Sequence, residues 1–172
     1  MHGSSTVSVP VLYATLSLEA DAAEAVIDMV TQERSAKLDS LVGAVEAYLD
    51  ETRDGGWSDT ELQRMVVRIP TTLYRFSDSI ARASIESDIA KATLEKLHAE
   101  YVLGHEGRSI ADRKAMADLA TARESTLTDL TKIVLQKLRM KADYAMALYE
   151  AVKKIMTQSD KEKETFRQEV KR

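Results

Sequence analysis

Two kinds of side-chain spacing bear on chemistry in this chain, and they lead in different directions. Glu95 and His98 form one Glu-x-x-His pair, the arrangement with which helical bundles hold a di-metal centre once a second copy and two further carboxylates complete it. The sequence has no second copy, and His105, in a glycine-containing stretch, lacks a convincing ligand partner. No Cys is present, which removes thiol nucleophiles, thiolate metal sites and disulfides. Walker loops, dinucleotide fingerprints and nucleophile elbows are absent as well. The expectation is a non-enzymatic protein with no catalytic residues, no metal and no cofactor.

The second spacing is cationic. No acid lies between Glu61 and Asp78, while Arg64, Arg68, Arg75 and Arg82 fall at offsets of 0, 4, 11 and 18. On one continuous helix they share a face. Tyr74 and Phe76 lie beside them, and rings next to cations are what single-stranded nucleic acid uses for stacking and phosphate contact. Two further sets, Arg108, Arg113 and Lys114 with His105, and Lys132, Lys137, Arg139 and Lys141, surround the centre and the later part of the chain. Taken singly, each set also suits an ordinary solvated face. Repeated around an oligomer, such patches would sum to an electrostatic track.

The elements that must position these groups are helical. The 172 residues are 44% apolar and contain 22 Ala against 6 Gly and 2 Pro, the composition of one all-α domain. Aromatic residues make up only 5%, so the core is built from aliphatic and small side chains, which suit long, closely packed helices. A first helix is expected over 18–51, preceded by an extended arm over 1–17 around Pro10. Ser58 and Glu61 match a capping box, with Trp57 and Leu62 as its staple. Pro70 disfavours helical geometry at Ile69, which predicts a short helix over 59–69 and a new one over 71–103.

Apolar or small residues recur at 73, 76, 80, 83, 87, 90, 94, 97 and 101 in steps of 3 and 4, a heptad seam. After the Gly104 to Gly107 stretch, Ser109 and Asp112 restart a helix expected over 110–156. Its register at 116, 119, 123, 127, 130, 134, 138, 141, 145, 149, 152 and 156 is an 11-residue repeat, with Arg123 and Lys141 as its charged members. A charged tail is expected over 158–172, frayed or forming a short exposed helix. A 47-residue helix is about 70 Å long, whereas a compact chain of this size is roughly 40 Å across. The reading is an elongated helical hairpin with an additional N-terminal helix, assembled as a homo-oligomer. Leu73, Phe76, Ile80, Leu94, Leu97, Tyr101, Leu127, Leu130, Val134 and Leu138 are the candidate oligomer contacts.

The net charge of −4 conceals a gradient: −7 over 1–57, −1 over 58–109 and +4 over 110–172. Acidic front and basic back could pair head to tail between subunits, or the front could restrain a basic, polyanion-binding back. No run approaches the roughly 20 apolar residues of a membrane span, and no signal-peptide pattern opens the chain. A cytoplasmic protein without membrane contact is expected.

The run Glu95-Lys96-Leu97-His98-Ala99-Glu100-Tyr101-Val102-Leu103-Gly104, within the helix, turn and long helix from Leu73 to Met156, resembles the phage recombination mediator family typified by UvsY. That resemblance implies a small, helical, oligomeric accessory factor. It would bind single-stranded DNA and help load a recombinase onto strands covered by single-strand-binding protein, in the host cytoplasm if phage-encoded. Lys96 would contact DNA, and His98 would replace an expected Arg. The competing expectation is an oligomeric helical scaffold or phage factor that captures a host or phage protein without nucleic acid.

Overall fold

The computed structural model describes residues 9–52, 56–104 and 109–169, with side chains from Glu19 onward. Every regular element in it is helical: α1 (Val9–Glu51), α2 (Asp59–Gly104), α3 (Ile110–Ala120) and α4 (Ala122–Glu169). At 43, 46 and 48 residues, the three long helices are about 65 to 72 Å in length. The all-α, elongated architecture is therefore as expected.

Cross-helix pairs set the topology. Tyr48 stacks at a tilt on Trp57, with ring centroids 6.2 Å apart, and Arg34 reaches Glu86, so α1 and α2 run antiparallel. His98 meets Asp118 at one end and Asp59 meets Lys163 at the other, so α3 and α4 return antiparallel to α2. Asp28 with Lys137, and Asp39 with Lys141, then align α1 parallel to α4. The result is a three-helix bundle in which α2 and α4 share the longest seam.

That seam follows the heptad pattern. Phe76, Ala83 and Ala90 are buried, as are Val134, Leu138, Ala145 and Val152 on α4. One apolar cluster joins Ile27 and Leu38 of α1 to Phe76 and Leu138, and a second joins Val45, Leu62, Ile69 and Val152. These contacts revise part of the oligomer set. Phe76, Val134 and Leu138 are core residues of a single chain, with Leu73, Ile80 and Leu130 packed against them, so the chain's own helices occupy all six. Leu94 and Leu97 are half-buried, while Tyr101 and Leu127 are exposed.

Four boundaries differ from expectation. Helix α1 begins at Val9, so the arm is helical from there on, and residues 1–8 lie outside the described part. Pro10 falls in the first turn, where its missing N–H costs no hydrogen bond and its fixed φ suits a helix. Helix α2 runs unbroken through Pro70. Leu62, Met65 and Ile69 before it and Phe76 after it are buried along one seam. At about 1.5 to 3 kcal/mol for each large apolar side chain buried, they outweigh the roughly 3 kcal/mol penalty of an interior proline. The Thr71 hydroxyl also donates to the Val67 carbonyl at 2.8 Å.

The third difference is a break at Thr121, with φ −105° and ψ 14°, which splits the expected 110–156 helix. Thr121 is buried and donates its hydroxyl to the Ala117 carbonyl, which its backbone N–H also reaches at 2.9 Å. The break re-phases the 11-residue register. From 130 to 156 it is the inward face, but upstream Ala117 and Thr121 are buried while Leu119, Arg123 and Leu127 are exposed. Fourth, α4 continues to Glu169, so the charged tail, expected to fray or to form a short exposed helix, is exposed and helical but continuous with α4, and its Lys163 pairs with Asp59 of α2.

The caps are mixed. Ser109 accepts from the Asp112 N–H at 3.1 Å, as its spacing predicts. The Ser58 N–H, which a capping box would give to Glu61, donates to the Tyr48 hydroxyl at 2.8 Å. Trp57 packs against the second apolar cluster, the clamping role expected of it.

Candidate polyanion-binding groove

Because α2 is unbroken, the arginines do fall along one side of it. Their surroundings divide them. Arg64 pairs with Glu61 at 2.6 Å and Arg82 with Glu86 at 3.2 Å, both within one turn of the same helix. Arg68 and Arg75 have no ion pair among the described residues, and they line a groove of roughly 780 Å³ between α1 and α2. Across it, α1 contributes Arg34 and Lys37. Lys37 is likewise without an ion pair among the described residues, so three uncompensated cations converge on one cleft.

The groove has a consistent build. Leu38, Leu41 and Phe76 form its buried floor, Ala36 and Ala44 keep the α1 wall low, and the hydroxyls of Ser40 and Thr72 lie along it. Glu33 is the single acid in its lining. At one end Arg34 is fixed by Glu86, 2.8 Å away. The Glu86 carboxyl is held below its ordinary value, chiefly by the hydrogen bond from Arg34, with burial opposing and Arg82 adding to the effect. Chemically, the cleft offers cations and hydroxyls to an extended chain of anionic oxygens. It offers no aromatic platform, because Phe76 is only 5% exposed and serves the core. Tyr74 is exposed but lies outside the groove lining.

The other sequence-selected residues do not join this cleft. Lys96 lies 21 positions beyond Arg75, about 32 Å along the helix, and faces Glu100 at 3.9 Å. His98 Nε2 is 3.0 Å from Asp118 Oδ1. Its Glu-x-x-His partner Glu95 approaches Lys91 instead, and no three His, Asp or Glu side chains converge as a metal site among the described residues. Arg113 is half-buried with its Nε lacking a hydrogen-bond partner, and Lys114 is exposed. Arg108 and His105 lie outside the described residues. Of the later basic set, Lys137 and Lys141 are engaged by Asp28 and Asp39, each at 2.6 Å.

Arg34 and Lys37 belong to no basic cluster in the sequence. Their signal was the inverse, since they are the only two basic residues of α1. The charge gradient also acquires a structural meaning: acidic α1 is bound along basic α4 within one chain. Among the described residues no helix is long and apolar enough to cross a membrane. Comparison with protein-family models, curated proteins and solved structures yields no match to this chain.

Proposed function

We propose that this chain is a non-enzymatic, homo-oligomeric accessory protein that binds single-stranded DNA along the α1–α2 groove. The observation that carries the reading is the convergence of Lys37, Arg68 and Arg75, without ion pairs among the described residues, on one cleft. Without a stacking ring in the cleft, binding is to phosphates, tolerant of sequence and strongly dependent on salt. The resemblance around Glu95 to Gly104 extends the proposal to recombination, with a recombinase or a single-strand-binding protein as partner. Lys96, His98, Arg113 and Lys114 at the α2–α3 end would then be a separate contact region. Anisotropy of a labelled oligothymidylate at low and moderate salt tests the reading. Salt-sensitive binding at micromolar protein is expected, and no binding at low salt refutes it.

A protein-binding scaffold that engages no nucleic acid is the second reading. It is favoured by the exposed apolar side chains along α2, which include Val67, Tyr74, Ile85 and Ile89. Recovery of a stoichiometric protein partner, together with absent DNA binding, would decide for it.

A further inference from the structure

One cation of the α1–α2 groove is held apart from the others. Arg34 lines the cleft with Lys37, Arg68 and Arg75, and among the described residues it alone of the four is paired with a carboxylate, that of Glu86. The Ser79 hydroxyl donates to the Arg34 carbonyl at 3.5 Å, which sets Arg34 level with the last α2 residue of the groove lining. Arg75 lies four positions before Ser79, about 6 Å along the helix, and Glu86 seven positions beyond it, about 10 Å. The ion pair therefore draws the guanidinium along the bundle axis, away from Arg75 and out of the row of free cations.

The two partners are unequally served. Glu86 Oε1 accepts from Arg34 Nη2 at 3.0 Å and from Arg82 Nε at 3.2 Å, so the carboxylate keeps one cation if the other leaves. Arg34 has no second anion among the described residues. It also retains donor capacity that Glu86 leaves unused, because its Nη1, although 2.8 Å from Oε2, is buried without a hydrogen-bond partner. A guanidinium fork is suited to two parallel bonds with a phosphate. While Glu86 is ionised, however, a phosphate that takes Arg34 leaves that negative charge facing the strand, and the exchange gains little.

We infer that Glu86 is a built-in competitor of the bound strand: by occupying Arg34 it holds the groove at three phosphate contacts where its cations could make four. The contact is autoinhibitory, and it sets both the affinity of the groove and its dependence on salt. This inference rests on the reading of the groove as the DNA site. Arg82 supplies the control, since it shares the same carboxylate but is outside the groove lining and its side chain is 78% exposed.

The test is anisotropy of a labelled oligothymidylate across a salt series, with circular dichroism confirming that each variant folds. Glu86→Gln should bind more tightly than wild type at 50 mM salt. It should also steepen the slope of log affinity against log salt from about −2 to about −2.8, a loss of roughly 50-fold rather than 20-fold between 50 and 200 mM. Glu86→Ala frees the same guanidinium and should behave alike. Two double variants then separate a freed Arg34 from a mere gain of positive charge, because both restore the wild-type net charge. Glu86→Gln/Arg34→Ala should return the slope to about −2, whereas Glu86→Gln/Arg82→Ala should keep it near −2.8. Equal slopes for the two doubles overturn the inference. So does wild-type binding that neither Glu86→Gln nor Glu86→Ala strengthens, a result that leaves the groove itself standing. No binding by any of these proteins at low salt refutes the groove, and the inference with it.

Discussion

The division of four arginines into two free and two paired makes a quantitative prediction for DNA binding. Each phosphate contact to a single strand contributes about −0.7 to the slope of log affinity against log salt. With Lys37, Arg68 and Arg75 in contact, the slope is about −2, a loss of roughly 20-fold between 50 and 200 mM salt. Arg75→Ala should flatten it to about −1.4, roughly a 7-fold loss over the same range. Arg64→Ala should leave the slope unchanged, because that guanidinium is already neutralised by Glu61 at 2.6 Å. The assay is anisotropy of a labelled oligothymidylate at five or six salt concentrations for each variant. Equal slope changes for Arg64→Ala and Arg75→Ala would refute the reasoning. The cations would then act as a diffuse charge rather than as a cleft with named contacts.

Other predictions concern the scaffold. Leu138→Ala, at a fully buried position, should cost about 2 to 5 kcal/mol, whereas Leu127→Ala, 53% exposed, should cost less than about 0.5 kcal/mol; urea denaturation of both measures the contrast. Pro70→Ala restores a donor inside a continuous helix and should stabilise by about 1 to 3 kcal/mol, so an unchanged or lowered melting temperature would contradict an unbroken α2. Glu86 ionises below its usual value of 4.5 because Arg34 holds its charged form. Its contribution is thus present above about that pH and lost as pH falls through the lowered value, so Glu86→Gln should reduce stability at pH 7 and leave it nearly unchanged at the acid end of the titration. Tyr144 donates to Glu46 and its phenol titrates above 10.0. Ultraviolet titration should therefore show one tyrosine ionising later than the rest in the wild type, and Glu46→Gln should abolish that delay.

The parts of the fold that periodicity governs were readable in the sequence. The steps from Leu73 to Leu97 describe a stripe that buries itself wherever it meets another helix, and Phe76, Ala83 and Ala90 do so. Signals that depend on competition were not readable. Pro70 is a local penalty, and whether it breaks a helix depends on how much apolar surface lies in register on both sides. Thr121 carries no local signal, since the hydroxyl-to-carbonyl bond it makes is also made by Thr126, Thr128 and Thr157 inside an unbroken α4. The candidate groove was half visible, because Arg68 and Arg75 belong to a pattern within one helix. Its other wall depends on Arg34 and Lys37, brought opposite by the α1–α2 turn at a separation of more than 30 residues. Pairing was equally hidden: which arginine is free depends on rotamers that place Glu61 and Glu86 against their neighbours.

Where DNA contacts the chain is the most direct question for this account. An oligothymidylate carrying photoreactive bases, cross-linked to the full chain and mapped by mass spectrometry, answers it residue by residue. The predicted cross-links lie on the peptides that hold Lys37, Arg68 and Arg75, and they fade together as salt rises. Cross-links confined to the peptides of Lys96, Arg113 and Lys114, or none at low salt, would contradict a binding groove between α1 and α2.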